Sequence, residues 1–263
     1  MDKYLLFFDI DGTLLDNHEQ VVPESAIEAL HRAKENGHNI FLCTGRCKAI
    51  WPKEILDIGF DGMVGGCGTH IIYRDEELIH RMIPAELAKE IADDVMKYHI
   101  DGVLEGAVYT YFRPDPWIDN VVRIRKENSF YGKMAVQTIG STDEYKYDKM
   151  ALWFDESSDM ASFKKKYEDR FDFIVRDPNF YEIVPKGFSK ATGIQYLCEH
   201  LGVKQEFTFG FGNSKNDLPM LGFTHVSVAM GDGNPEIFDS VDYVTEPVMK
   251  DGIKNALIKY GII

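Results

Sequence analysis

Tyr4-Leu5-Leu6-Phe7-Phe8-Asp9-Ile10-Asp11-Gly12-Thr13 is the stretch on which the fold turns. Five apolar or aromatic residues in succession suit a strand covered on both faces, as in a parallel sheet with helices on either side. The run ends in two carboxylates at i and i+2, followed by a glycine that lets the chain turn. Ligands in open α/β sheets gather beyond the C-terminal strand ends, so paired acids there are candidates for chemistry. The structural alternative is a strand-ending turn, because Asp-Gly is a common turn pair.

Outward from this strand the pattern alternates. Pro23-Glu24 starts a helix whose apolar face holds Ile27, Leu30 and Ala33, and Gly37 closes it. Asn39 to Cys43 is a second apolar run, ending at Thr44-Gly45-Arg46. A helix over Ala49 to Ile58 and a short strand at Met63-Val64-Gly65 follow. The C-terminal third repeats the rhythm: a helix over Lys190 to Leu201, then strands at Phe207 to Phe211, Val226 to Ala229 and Tyr243 to Thr245. Such alternation implies an α/β fold with a parallel sheet and helices on both faces.

The middle of the chain has a different texture. Leu87, Ile91 and Val95 mark an amphipathic helix, and a second helix fits Met160 to Arg170. Short strands fit Ala107 to Phe112, Met150 to Phe154, Phe171 to Val175 and Tyr181 to Val184. Aromatic residues cluster here: Tyr109, Tyr111, Phe112, Trp117, Tyr131 and Trp153. The expected organisation is a core of residues 1–83 and 186–263 interrupted by an inserted α+β module at 84–185.

Composition narrows the function. At 263 residues the chain can bury a core without disulfides or a structural metal. A formal charge of −14 argues against nucleic-acid partners, which recruit dense Lys/Arg surfaces. Cys43, Cys47, Cys67 and Cys198 form no CxxC pair and no zinc-like spacing, and are expected as small core residues in a reducing compartment. The apolar run before Asp9 is too short for a signal peptide, and no stretch approaches the length of a membrane span. A cytoplasmic protein without a membrane partner is expected.

Three further strand ends carry polar residues. Thr44-Gly45 offers a hydroxyl and an unobstructed backbone N–H, suited to a phosphate oxygen or to a plain strand-to-helix turn. Lys190 opens a helix, where both the ammonium and the helix terminus favour an anion, although most such lysines are simply solvated. Gly212-Asn213-Ser214-Lys215-Asn216-Asp217 brings two amides and a carboxylate beyond the last of these strands. Its structural alternative is an Asn/Gly-rich loop with a helix cap.

In this order, each at a strand end, these four segments resemble the motifs of the haloacid dehalogenase superfamily of phosphohydrolases, in the Cof-type branch with a large inserted α/β cap. Asp9 to Thr13 is similar to the first motif and Thr44-Gly45-Arg46 to the second. Lys190 matches the third, and Gly212 to Asp217 with Leu218-Pro219-Met220-Leu221 the fourth. The resemblance implies a Rossmann-like core and a cap that sets substrate choice. It implies Asp9 as nucleophile, forming an aspartyl-phosphate, and Asp11 as general acid and then base. It implies Mg2+ held by the Asp9 carboxylate, the Asp11 backbone carbonyl and Asn213. It implies a phosphate of a small metabolite held by the Ile10 N–H, Thr44, Gly45, Lys190 and Asn216, with Asp217 orienting a metal-bound water or a neighbouring donor.

One departure stands out, since Asn213 occupies a position that is normally aspartate in the family. An amide oxygen can ligate magnesium but brings no formal charge, so weaker metal binding is expected, offset in part by Asp217. In the cap, Arg113, Trp117, Arg123 and Arg125 are conceivable substrate contacts or ordinary surface and packing residues. His70 and His80 are expected as hairpin residues outside the chemistry. Three functions share this pattern: a phosphatase for sugar phosphates or similar metabolites, a catalytically weakened phosphate-binding or regulatory module, and a phosphomutase or phosphotransferase. Retention of both Asp9 and Asp11 favours the first over the second. Oligomeric state is not legible.

Overall fold

The structure, a computed structural model, describes residues 3–129 and 135–263. Tyr131 of the aromatic cluster lies outside the described residues. The chain divides into two compact units, one of Met1–Gly45, Lys53–Leu78 and Ser189–Ile263, the other of Arg46–Pro52 and Ile79–Phe188. The sequence places the insertion at 84–185, whereas contacts run it from Ile79 to Phe188 and group the strap Arg46–Pro52 with it.

In chain order the elements begin with β1 (Leu5–Phe8), α1 (Glu24–Glu35), β2 (Asn39–Cys43), α2 (Lys53–Leu56), β3 (Gly62–Gly65), β4 (His70–Tyr73) and β5 (Glu76–His80). The expected helix over Ala49 to Ile58 is corrected to a 3-10 turn at Lys48–Ile50 followed by the short α2. Pro52 is the reason: it has no N–H to donate and pushes the residue before it out of the helical region, and Trp51 is accordingly extended at φ −72° and ψ 126°.

The insertion holds α3 (Ala85–Lys97), β6 (Asp101–Glu105), β7 (Thr110–Phe112), α4 (Asp119–Asn128), β8 (Val136–Thr138), β9 (Lys149–Trp153), α5 (Met160–Tyr167), β10 (Phe171–Asp177) and β11 (Phe180–Pro185). Its six strands form one sheet in the order β10-β11-β9-β6-β7-β8. The sequence reading missed β6, β8 and α4, and carried α5 three residues too far. The first unit resumes with α6 (Lys190–Leu201), β12 (Thr208–Gly212), α7 (Leu218–Phe223), β13 (Val226–Ala229), β14 (Tyr243–Val244) and α8 (Gly252–Lys259).

The main sheet has the order β14-β13-β12-β1-β2-β3-β4-β5. β1 pairs in parallel with both β2 and β12, with Phe8 opposite Leu42 on one side and Phe211 on the other. All four β1 residues are fully buried, which is why the segment is an uninterrupted apolar run. The Phe8 and Phe211 rings stack at 4.4 Å and lock the central pair of strands. The chain winds from β1 through β2 to β3 on one side, then returns to β12 on the other. The winding reverses between β1 and β12, the place where open α/β sheets bind ligands. Each unit has its own apolar cluster: Leu6, Phe8, Leu30 and Phe211 are central to one, and Ile91, Tyr147, Phe163 and Ile183 to the other.

Candidate active site

Parallel register sets the site. Asp9 follows Phe8, Thr44 follows Cys43 and Asn213 follows Gly212, so three chain segments leave the sheet at one edge. Backbone bonds tie these ends together: the Asp9 N–H donates to Phe211 O at 3.0 Å, and the Thr44 N–H donates to Val64 O at 2.8 Å. Ile10 accepts from the N–H groups of Thr13, Leu14 and Leu15, which curls the chain directly behind the two acids.

Lys190 is the centre of the arrangement. Its Nζ donates to Asp9 Oδ1 and to Asp217 Oδ1, both at 2.6 Å, and all three residues are buried. The ammonium reaches this position because α6 is anchored one residue earlier, where the Ser189 and Thr192 side chains form a capping box. Asp217 has a second task. Its Oδ2 accepts from the N–H groups of Asn213 (2.9 Å) and Ser214 (3.0 Å), closing the loop after β12 around one carboxylate.

Burial dominates the electrostatics. It raises the Asp9 carboxyl, helped by the Asp217 charge; Lys190 pulls it down and Asp11 adds a smaller upward push, and the balance lies at about 7. Burial alone would lower Lys190, but Asp217 and Asp9 carry it well above the usual lysine value, so the ammonium stays charged. Burial also pushes the nearby Cys43 thiol far up, leaving it an inert core residue. All four cysteines are free and buried.

Asn213 sits against the first motif: a Cβ placed on Gly12 would lie 2.2 Å from Asn213 Nδ2. Its Oδ1 is buried and has no hydrogen-bond partner among the described residues. An orphaned buried oxygen on a side chain that packs at Gly12, one residue after Asp11, suits a cation ligand, and an all-oxygen donor set suits a hard divalent ion. The residues present therefore fit a metal. Asn213 O in turn accepts from the Asn234 N–H at 2.7 Å.

A family profile for haloacid dehalogenase-like hydrolases matches residues 6–257. The chain is a haloacid dehalogenase-like hydrolase. Among similar proteins, "putative phosphatase YkrA" of Bacillus subtilis (strain 168) is 26% identical over all of both chains. A "putative bifunctional phosphatase/peptidyl-prolyl cis-trans isomerase" of Streptococcus pyogenes serotype M6 is 29% identical over 98% of this chain and 54% of its own length. The solved structure of a HAD subclass IIB sugar phosphatase superimposes with a TM-score of 0.83 at 28% identity, covering 99% of this chain and all of that one. This haloacid dehalogenase-like hydrolase is an enzyme of the phosphatase class.

The remaining sequence candidates are placed as follows. Asn216 is half-buried and accepts from the Ser214 hydroxyl within the loop after β12. In the insertion, Arg113 is buried over the Trp117 ring at 4.8 Å. Arg125 donates to the Arg113 carbonyl and to Thr138 Oγ1, and Arg123 faces Glu127. His70 Nε2 lies 2.7 Å from Glu77 Oε2, and His80 Nε2 lies 3.0 Å from Asp148 Oδ1. The sequence reading missed a turn beside the site, Gly66-Cys67-Gly68, where three successive residues have positive φ. Its one visible signal is the Gly-Gly-Cys-Gly run that ends β3. No helix among the described residues is long and apolar enough to cross a membrane.

Proposed function

We propose that this enzyme is a magnesium-dependent phosphatase of small phosphorylated metabolites, sugar phosphates foremost, acting through an aspartyl-phosphate on Asp9. The observation that carries the reading is the buried Lys190, held between Asp9 and Asp217. A fixed cation beside a buried carboxylate opposes the effect of burial and favours the ionised form, and it attracts a phosphoryl oxygen to the same place. Asp9 is then the nucleophile toward phosphorus. Asp11, two residues on and half-exposed, gives a proton to the leaving oxygen and later takes one from the hydrolytic water.

Thr44, Gly45, the Ile10 N–H and Asn216 surround the same strand ends and orient the phosphoryl group with Lys190. Asp217 acts through Lys190 and the loop backbone. Magnesium, when bound by Asp9, the Asp11 carbonyl and Asn213, would screen the repulsion between Asp9 and an incoming phosphate dianion. The sugar-phosphate choice is supported by the likeness to a sugar phosphatase at 28% identity over nearly the whole chain.

The test is phosphate release from an aryl phosphate and a panel of sugar phosphates, with magnesium, by wild type and Asp9→Asn. The variant is expected to lose about six orders of magnitude in kcat, as removal of a nucleophile does. Turnover near the wild-type level in Asp9→Asn would overturn the assignment.

A further inference from the structure

The charge available to a cation at this site is small. Asp217 is fully engaged, with Oδ1 on the Lys190 ammonium and Oδ2 on two backbone N–H groups. What it adds to the neutral amide at 213 is therefore charge acting through Lys190 and the loop backbone. Asp9 shares its Oδ1 with Lys190. Asn213 Oδ1 is buried and, among the described residues, unpartnered, but it is neutral. Of the three groups that the family resemblance implies as ligands, Asp9 brings a carboxylate already paired with an ammonium, and the Asp11 carbonyl and Asn213 bring neutral oxygens. A hard dication gives up its waters reluctantly unless anionic oxygens replace them.

We propose that magnesium and phosphate bind this enzyme cooperatively, each weakly alone, because Asn213 offers a neutral oxygen and the phosphate itself supplies the missing negative charge. The inference rests on the phosphatase reading of the site. Phosphate in turn meets the buried Lys190 ammonium, whose charge is outweighed by the carboxylates of Asp9 and Asp217 on either side of it. It therefore gains as much from the cation as the cation gains from it. Linkage requires the two effects to be equal: whatever factor phosphate adds to magnesium affinity, magnesium adds to phosphate affinity.

Isothermal titration calorimetry on the full chain tests this without turnover. Magnesium is titrated with and without saturating inorganic phosphate, and inorganic phosphate with and without saturating magnesium. For wild type, each affinity is expected to rise roughly tenfold or more in the presence of the other. For Asn213→Asp, magnesium alone binds more tightly and the mutual factor shrinks, because the added carboxylate attracts the metal and repels the phosphate. Phosphate binding that is indifferent to magnesium in wild type, or an equal factor in both proteins, would overturn the proposal while leaving the phosphatase reading intact. Failure of both proteins to bind inorganic phosphate, with or without magnesium, would overturn that reading and the proposal together.

Discussion

Asp9 shows what burial does to an acid and what that acid then does to the fold. Its carboxyl titrates at about 7 in the folded chain against an ordinary value of 3.8, first because it is buried and then because Asp217 lies close. An acid raised in this way stabilises the fold fully below pH 3.8, and that contribution is lost as pH rises through about 7. Metal-free wild type should therefore lose stability across this window, as a buried proton is given up. An amide at position 9 stays neutral at every pH. Asp9→Asn is thus expected to melt roughly 5–10 °C higher than wild type at pH 8 in chelator, with the gap closing toward pH 4. Thermal melts of both proteins from pH 4 to pH 8 measure this. A gap that does not change with pH would mean that Asp9 is not the group that titrates.

At the scale of elements, the turn Gly66-Cys67-Gly68 between β3 and β4 links two parts of the site. φ is +56° at both Gly66 and Cys67 and +93° at Gly68, and the Cys67 N–H donates to Thr44 O at 3.2 Å. Gly68 packs on the cap of α6: a Cβ there would lie 2.3 Å from Ser189 O, one residue before Lys190. Gly68→Ala should shift the first turn of α6, lowering kcat/KM by about tenfold to a hundredfold and stability by about 1–3 kcal/mol. Gly202→Ala is the control, since Gly202 closes the same helix at φ +64° with nothing within 4 Å of its added Cβ. It should cost about 1 kcal/mol of stability with kcat/KM unchanged. Equal kcat/KM for the two variants would deny the turn its positioning role.

This turn was not legible in the sequence because its conformation is imposed by packing on Thr44 and Ser189, remote along the chain. The strands β1 and β2 were legible, since burial on both faces writes an unbroken apolar run. β6 was not: it begins with Asp101, a fully buried acid that accepts from the N–H groups of Trp117 and Ile118 at the entry to α4. A polar residue with a tertiary partner looks, in sequence, like a loop. Lys190 was visible only as a helix-opening lysine, and its two carboxylate partners lie 181 and 27 residues away.

Over the whole molecule, 43 acidic against 29 basic residues leave a formal charge of −14, while the substrate class proposed is itself anionic. Lys190 is buried and paired with two carboxylates, so it projects little field into solvent. The approach of a phosphate ester is then governed by the average, repulsive potential of the surface. Salt should relieve it. The screening length falls from about 30 Å at 0.01 M to about 8 Å at 0.15 M ionic strength. With magnesium kept saturating, kcat/KM for an aryl phosphate is therefore expected to rise roughly twofold to fivefold over that range, with kcat little changed. The measurement is initial rates across a sodium chloride series at fixed pH. A kcat/KM that falls with salt would mean that a local positive field, and not the net charge, steers the substrate. The search for specificity would then begin with exposed cations instead of the buried site.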